Sequence, residues 1–132
     1  MPPTTIAVSI VIGVKGNPPF EYPGIMQMPD KIKAQPNNKI IWGIINATPK
    51  TVTVSLSEFA RLGVMIRAEE PLDFPKDRKV KIGAGSARVI HADVKPNANA
   101  GLFVYAILID GQVAQDPELE IERPPVRLSN EF

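Results

Sequence analysis

The sequence predicts an all-β domain built as a two-sheet antiparallel sandwich, and three observations carry that expectation. Apolar residues recur two apart, the period that turns them to one face of a sheet, as in Ile6, Val8, Ile10, Ile12 and Val14. The 14 prolines and 9 glycines stand between such runs, where they close turns. Even in the long connection from Ser57 to Lys76, only "LSEFARLG", Leu56 to Gly63, resembles a turn or two of helix. At 132 residues the chain reads as one domain, 1–132. Folding at that size should bury roughly two thirds of the unfolded surface.

The first strand holds Ile6 to Val14, with Ser9, Gly13 and Lys15 on its other face. "GNPPFEYPG" then interrupts regular structure, because proline cannot donate to a ladder. A short strand is expected over Lys31 to Ala34, followed by a turn at "QPNNK". "KIIWGIIN", Lys39 to Asn46, is apolar on both parities, as a strand covered on both sides would be, with Trp42 its largest core candidate. "TVTVSL" follows, with Val52, Val54 and Leu56 on one face. Ser57 to Lys76 reads as a long connection, Gly63 ending its short helical turn. "RKVKIG" and "SARVIHADV" are two more strands, joined by "GAGS" as a hairpin turn; Arg88, Ile90, Ala92 and Val94 share a parity, with His91 opposite. "GLFVYAILIDG", Gly101 to Gly111, ends in Asp110-Gly111, a hairpin signal because both central residues of a type I′ turn need positive φ. Its partner is "VAQDPELEIE", in which Leu119 and Ile121 point away from Glu118, Glu120 and Glu122. The tail "RPPVRLSNEF" reads as a strand extension or a loose end.

Charge and composition remove several function classes. A net charge of +1 supplies no field to gather nucleic acid or coat an anionic membrane. Absence of cysteine excludes a disulfide, a thiolate metal site and a thiol nucleophile. The N-terminus shows no signal peptide, and no run approaches the ~18 apolar residues of a membrane helix, so the chain as given is expected to be soluble. Ser57 and Ser86 have no evident base, GxSxG is missing, and "GAGS" lacks the spacing and the following helix of a phosphate loop. His91, the single histidine, reads as a half-exposed sheet residue. Glu69, Glu70 and Asp73 are oxygen donors of the type hard cations prefer, yet "EEPLD" matches no EF-hand, so no metal is expected. Lys76, Arg78, Lys79, Lys81 and Arg88 form a basic stripe with few aromatics between them and read as a solvated face.

Spacing alone leaves more than one sandwich open, an immunoglobulin-like fold among them. Local phrasing separates them. "IIWGIINATPKTVTV" runs from tryptophan through asparagine to P-K-T-V-T, "AGLFVYAILIDG" sets aromatics on alternate positions after a glycine, and "DPELEIE" closes the pattern. Over Lys31 to Glu122 these segments resemble the cupredoxins, the last of them the closing strand of copper-free cupredoxin-like bacterial proteins. The resemblance implies a Greek-key sandwich. It also implies where copper ligands would stand: the first histidine, in the family's PHTVT, falls on Lys50, and the cysteine falls on Ile107. No histidine follows in "LIDGQV" and no methionine follows Met65. Blue-copper sites need a thiolate and imidazoles. The implied domain is therefore copper-free, without a cofactor, with Phe103, Tyr105 and Ile107 as core.

The expected function is a binding or structural module and not an enzyme, meeting an unknown protein partner or its own copies. The alternative is a small-ligand binder or enzyme with the 57–76 loop as a lid. The resemblance implies that the loop after Asn46, the 57–76 segment and the Asp110 to Pro117 turn gather at one end of the sandwich. That would bring Lys50, Phe59, Arg61, Met65 and Arg67 together as a partner-binding site, since aromatic, methionine and arginine side chains are enriched in interfaces. A mere cap would bury Phe59 and Met65, whereas an interface would leave them exposed.

Overall fold

The computed structural model describes residues 4–15, 22–63 and 65–123. Every regular element among them is a strand: β1 (Thr5–Lys15), β2 (Tyr22–Met28), β3 (Lys31–Ala34), β4 (Lys39–Asn46), β5 (Val52–Arg61), β6 (Arg67–Ala68), β7 (Leu72–Asp73), β8 (Lys79–Ile82), β9 (Ala87–Val94), β10 (Gly101–Ile109), β11 (Gln112–Gln115) and β12 (Glu118–Ile121). One sheet has the order β2-β1-β4-β9-β7; the other runs β3-β12-β10-β5-β6, with β11 beside β10 and β8 beside β5. Alternation builds the core between them. Ile10, Ile12, Ile40, Trp42, Ile44 and Ile90 point inward from the first sheet and meet Leu56, Phe103, Tyr105, Ile107, Leu119 and Ile121 from the second.

Both sheets are mixed, where hairpin logic alone had made them antiparallel. β1 pairs parallel to β4, and β3 pairs parallel to β12. The cause is that the chain changes sheet repeatedly, β2 to β3, β3 to β4 and β4 to β5, so strands of one sheet are joined by crossovers. The "GAGS" turn is such a crossover and not a hairpin: β8 pairs with β5, while β9 pairs with β4 in the opposite sheet. The Asp110-Gly111 hairpin stands as expected, with φ of 52° and 83°. β2 lies partly inside the segment taken as a break, of which residues 16–21 fall outside the described ones, as do 124–132 of the tail.

The largest departure is at Ser57 to Arg61, which is strand and neither loop nor helix. Register explains it: Val104 opposes Ala60 and Ala106 opposes Ser57, so Glu58 and Phe59 together face the single residue Tyr105. This is a β-bulge, with Glu58 taking the left-handed conformation at φ 57°. The extra residue reverses the parity, and Phe59 turns inward where strict alternation would have sent Glu58.

Candidate functional site

Behind the bulge the core is aromatic. Phe59 stacks on Tyr105 at 5.0 Å between ring centroids, Trp42 meets Tyr105 edge-on at 6.1 Å, and Phe74 stacks against Trp42 at 6.2 Å. Polar atoms within this cluster are paired. Trp42 Nε1 donates to Tyr105 Oη (3.2 Å), Tyr105 Oη donates to Gln27 Oε1 (2.8 Å), and Gln27 Nε2 donates to the Pro29 carbonyl (2.9 Å). Burial pushes the Tyr105 phenol far above its ordinary value, so it stays neutral. It is an orienting post in the core and not a base. Gln27 had no signal in the sequence, because its strand was hidden among prolines.

Over the aromatic cluster lies the 57–78 segment. The Arg78 guanidinium sits 4.4 Å from the centre of the Phe74 ring, donates through Nε to the Leu56 carbonyl (2.8 Å) and pairs with Glu70. Arg78 thus clamps the return of the chain, a role its place in a basic stripe did not suggest. Arg61 Nε donates to Glu69 Oε1 (2.9 Å), and Asn99 Nδ2 donates to Glu69 Oε2 (2.9 Å). Those bonds, Asn99's foremost, hold the Glu69 carboxyl below its ordinary value. A depressed carboxyl contributes stability above its ordinary value near 4.5 that is lost as pH falls through the lowered one. The stability gap between wild type and Glu69→Gln, measured by urea melts, should therefore be present at neutral pH and shrink as pH falls below the carboxyl's ordinary value. A gap that widens on acidification would contradict this assignment.

The expected partner-binding residues divide. Arg61, Met65 and Arg67 lie together, lining with Leu62 and Gly63 a cavity of about 220 Å3. Gly101 lies beside Arg61 at φ 146°, a conformation that strains any other residue, and a Cβ there would touch Arg61 Cδ at 3.5 Å. Met65 and its neighbour Ile66 are exposed, 66 % and 72 %, whereas Phe59 is buried in the core. The segment is therefore cap at Phe59 and open lip at Met65. Lys50 is elsewhere. Antiparallel pairing puts Arg61 opposite Phe103 at the start of β10, while Thr53 meets Asp110 at its far end, and Lys50 lies beyond Thr53. The three loops do not gather at one end, because β5 continues through Ser57 and carries the rest of the segment to the opposite end. The hollow beneath the expected lid, lined by Ser57, Glu58, Phe59, Ala68, Glu69, Glu70 and Arg78, is broadly open.

The Lys50 end is organised by Asn46, fully buried. Its Nδ2 donates to the carbonyls of Lys50 (2.7 Å), Ile82 (3.0 Å) and Gly83 (3.2 Å), and its Oδ1 accepts from Thr48 N (3.0 Å) and Thr48 Oγ1 (2.6 Å). Lys50 is exposed, and its backbone, not its side chain, is what the loop uses. Ile107 is buried opposite Leu56 and Gln115. The two positions matching copper ligands are thus held by an exposed lysine and a buried isoleucine, neither of them a blue-copper ligand. His91 is exposed on the outer face of its sheet, and among the described residues no three His, Cys, Asp or Glu side chains are grouped to hold a metal ion. No helix of the described residues is long and apolar enough to cross a membrane.

No protein-family model matches the chain, and no curated protein matches its sequence. Solved structures do. A multicopper oxidase from Pseudomonas thermotolerans superposes with a TM-score of 0.53 at 11 % identity, covering 93 % of this chain and 31 % of that one. A copper-containing nitrite reductase from Thermus scotoductus gives 0.52 at 14 % identity over 92 % of this chain and 31 % of that one. A blue copper oxidase from Nitrosomonas europaea gives 0.50 at 14 % identity, with 98 % and 47 % covered. This chain therefore spans less than half the length of each. At such identities the likeness is one of fold, and the fold is cupredoxin-like.

Proposed function

We propose that this chain, a domain of cupredoxin-like fold, is a copper-free binding module and not an enzyme, and that it meets a protein partner at the Arg61 to Arg67 lip. The observation that carries the reading is the exposure of Met65 and Ile66 between Arg61 and Arg67. Exposed methionine and aliphatic side chains rimmed by arginine suit a partner surface that offers apolar contact and carboxylates. Support for the copper-free part comes from donor chemistry: a blue-copper site needs a thiolate and imidazoles, and Ile107 and Lys50 occupy the matching positions. Support for binding over catalysis is that Tyr105 is locked neutral in the core, and that neither Ser57 nor Ser86 is bonded to His91.

Two measurements test it. Incubation with Cu(II) followed by desalting should leave no intense visible charge-transfer band and no stoichiometric copper; either one overturns the copper-free part. Ile66→Asp with Arg67→Glu, both at exposed positions, should abolish capture of the partner that the wild-type chain retains, while the melting temperature moves by no more than a few degrees. Equal capture by both proteins would place the contact elsewhere.

A further inference from the structure

The outer face of the five-stranded sheet is apolar across four adjacent strands. Met26, Val11, Ile45 and Ala87 lie side by side across β2, β1, β4 and β9, and the next row is Met28, Ser9, Gly43 and Val89. All point away from the core, since the inward positions of these strands are Ile10, Gln27, Ile44 and Ile90. Exposure runs from 39 % at Val11 through 47 % at Val89 and 48 % at Ile45 to 62 % and 63 % at Met26 and Met28. Charges gather at one end of this face, where Lys39 lies across from Asp93 and Asp93 across from Asp73.

We propose that a second copy of this chain packs here, sheet against sheet. Four strands about 4.8 Å apart, taken over roughly 20–25 Å of their length, give with side chains a footprint on the order of 500 Å2. That is near the top of what a lone monomer leaves uncovered, and more than half of the ~800 Å2 that each partner of a stable dimer buries, the rest being rim. Charge favours a copy over other occupants. An anionic membrane or nucleic acid needs lysine or arginine on the contact face, whereas two chains of net charge +1 meet without appreciable repulsion. The rim there carries both signs, Lys39 beside Asp93 and Asp73, so an isologous contact sets no purely single-sign field against itself. Relief is self-complementary too: open space lies above Gly13, and a Cβ at Gly43 would meet only the Val8 carbonyl, at 4.0 Å, while Met26 and Met28 supply adaptable ridges to fill such hollows. This face lies on the other sheet from the Arg61 to Arg67 lip, so a dimer formed through it leaves two lips free.

Sedimentation equilibrium of the full chain should give the mass of two chains at tens of micromolar. Met28→Glu and Val89→Lys, each a charge placed on the face, should raise the dissociation constant at least about tenfold, with far-UV circular dichroism and melting temperature preserved. Should Val89→Lys fail to fold, Met28→Glu at the sheet edge gives the reading alone. A wild-type chain that stays monomeric up to about 100 µM overturns the proposal. So does a dimer indifferent to both substitutions; if that dimer is broken by Ile66→Asp with Arg67→Glu, self-association belongs to the lip. Loss of partner capture at the lip with the dimer intact leaves this proposal standing and separates the two surfaces.

Discussion

Trp42→Ala is expected to cost about 3–5 kcal/mol, the upper range for deleting a buried aromatic side chain. Trp42 is fully buried, and it contacts Phe74 on its face and the edge of Tyr105. Removal opens a cavity at the junction of the two sheets, which neighbours anchored in strands can collapse into only partly. It also strips Tyr105 Oη of the indole donor. Domains of this size have about 5–15 kcal/mol in total, so the variant should unfold at much lower denaturant. Tyr105→Phe separates the polar part of the effect: the packing remains, but Trp42 Nε1 and Gln27 Oε1 lose their partner, at about 1–3 kcal/mol for buried groups left unpaired. Urea denaturation of both variants checks this. A loss below about 1 kcal/mol at Trp42 would contradict its place in the core.

Asn46→Ala is expected to cost about 2–4 kcal/mol, because one small side chain there satisfies groups from two loops. Its amide donates to three carbonyls, those of Lys50, Ile82 and Gly83, and its oxygen takes two bonds from Thr48. The loops it joins connect β4 to β5 and β8 to β9, both crossings between the sheets, so its loss loosens one end of the sandwich. Asn46→Asp supplies an internal control. A carboxylate would face those carbonyls while buried, and both effects raise its pKa. A raised folded pKa gives stability that is present at low pH and lost as pH rises through it. The aspartate variant should therefore approach wild type in acid and fall away at neutral pH, whereas the alanine variant should show no such trend. An aspartate variant equally weak at both pH values would mean that the amide bonds are not what matters.

What the chain determined by itself follows from local alternation. Leu119 and Ile121 were legible as core, and His91 as surface, because the period of two is a property of the strand and needs no partner, whereas Trp42 was legible by its size and Tyr105 by the cupredoxin resemblance. The Asp110-Gly111 hairpin was legible for the same reason, as positive φ at both positions is a local demand. Tertiary structure decided the rest. Where Glu58 enters the left-handed conformation, Phe59 is turned into the core by its stack on Tyr105, and no periodicity within residues 57–61 could announce a bulge defined by the opposite strand. That one residue extends β5, carries Arg61, Met65 and Arg67 to the end remote from Lys50, and so divides a site that the cupredoxin resemblance had joined. The parallel pairs and the apolar outer face of the first sheet likewise exist only once β1, β2, β4 and β9 lie side by side. Met26, Val11, Ile45 and Val89 come from four separate strands, and only pairing register makes them neighbours.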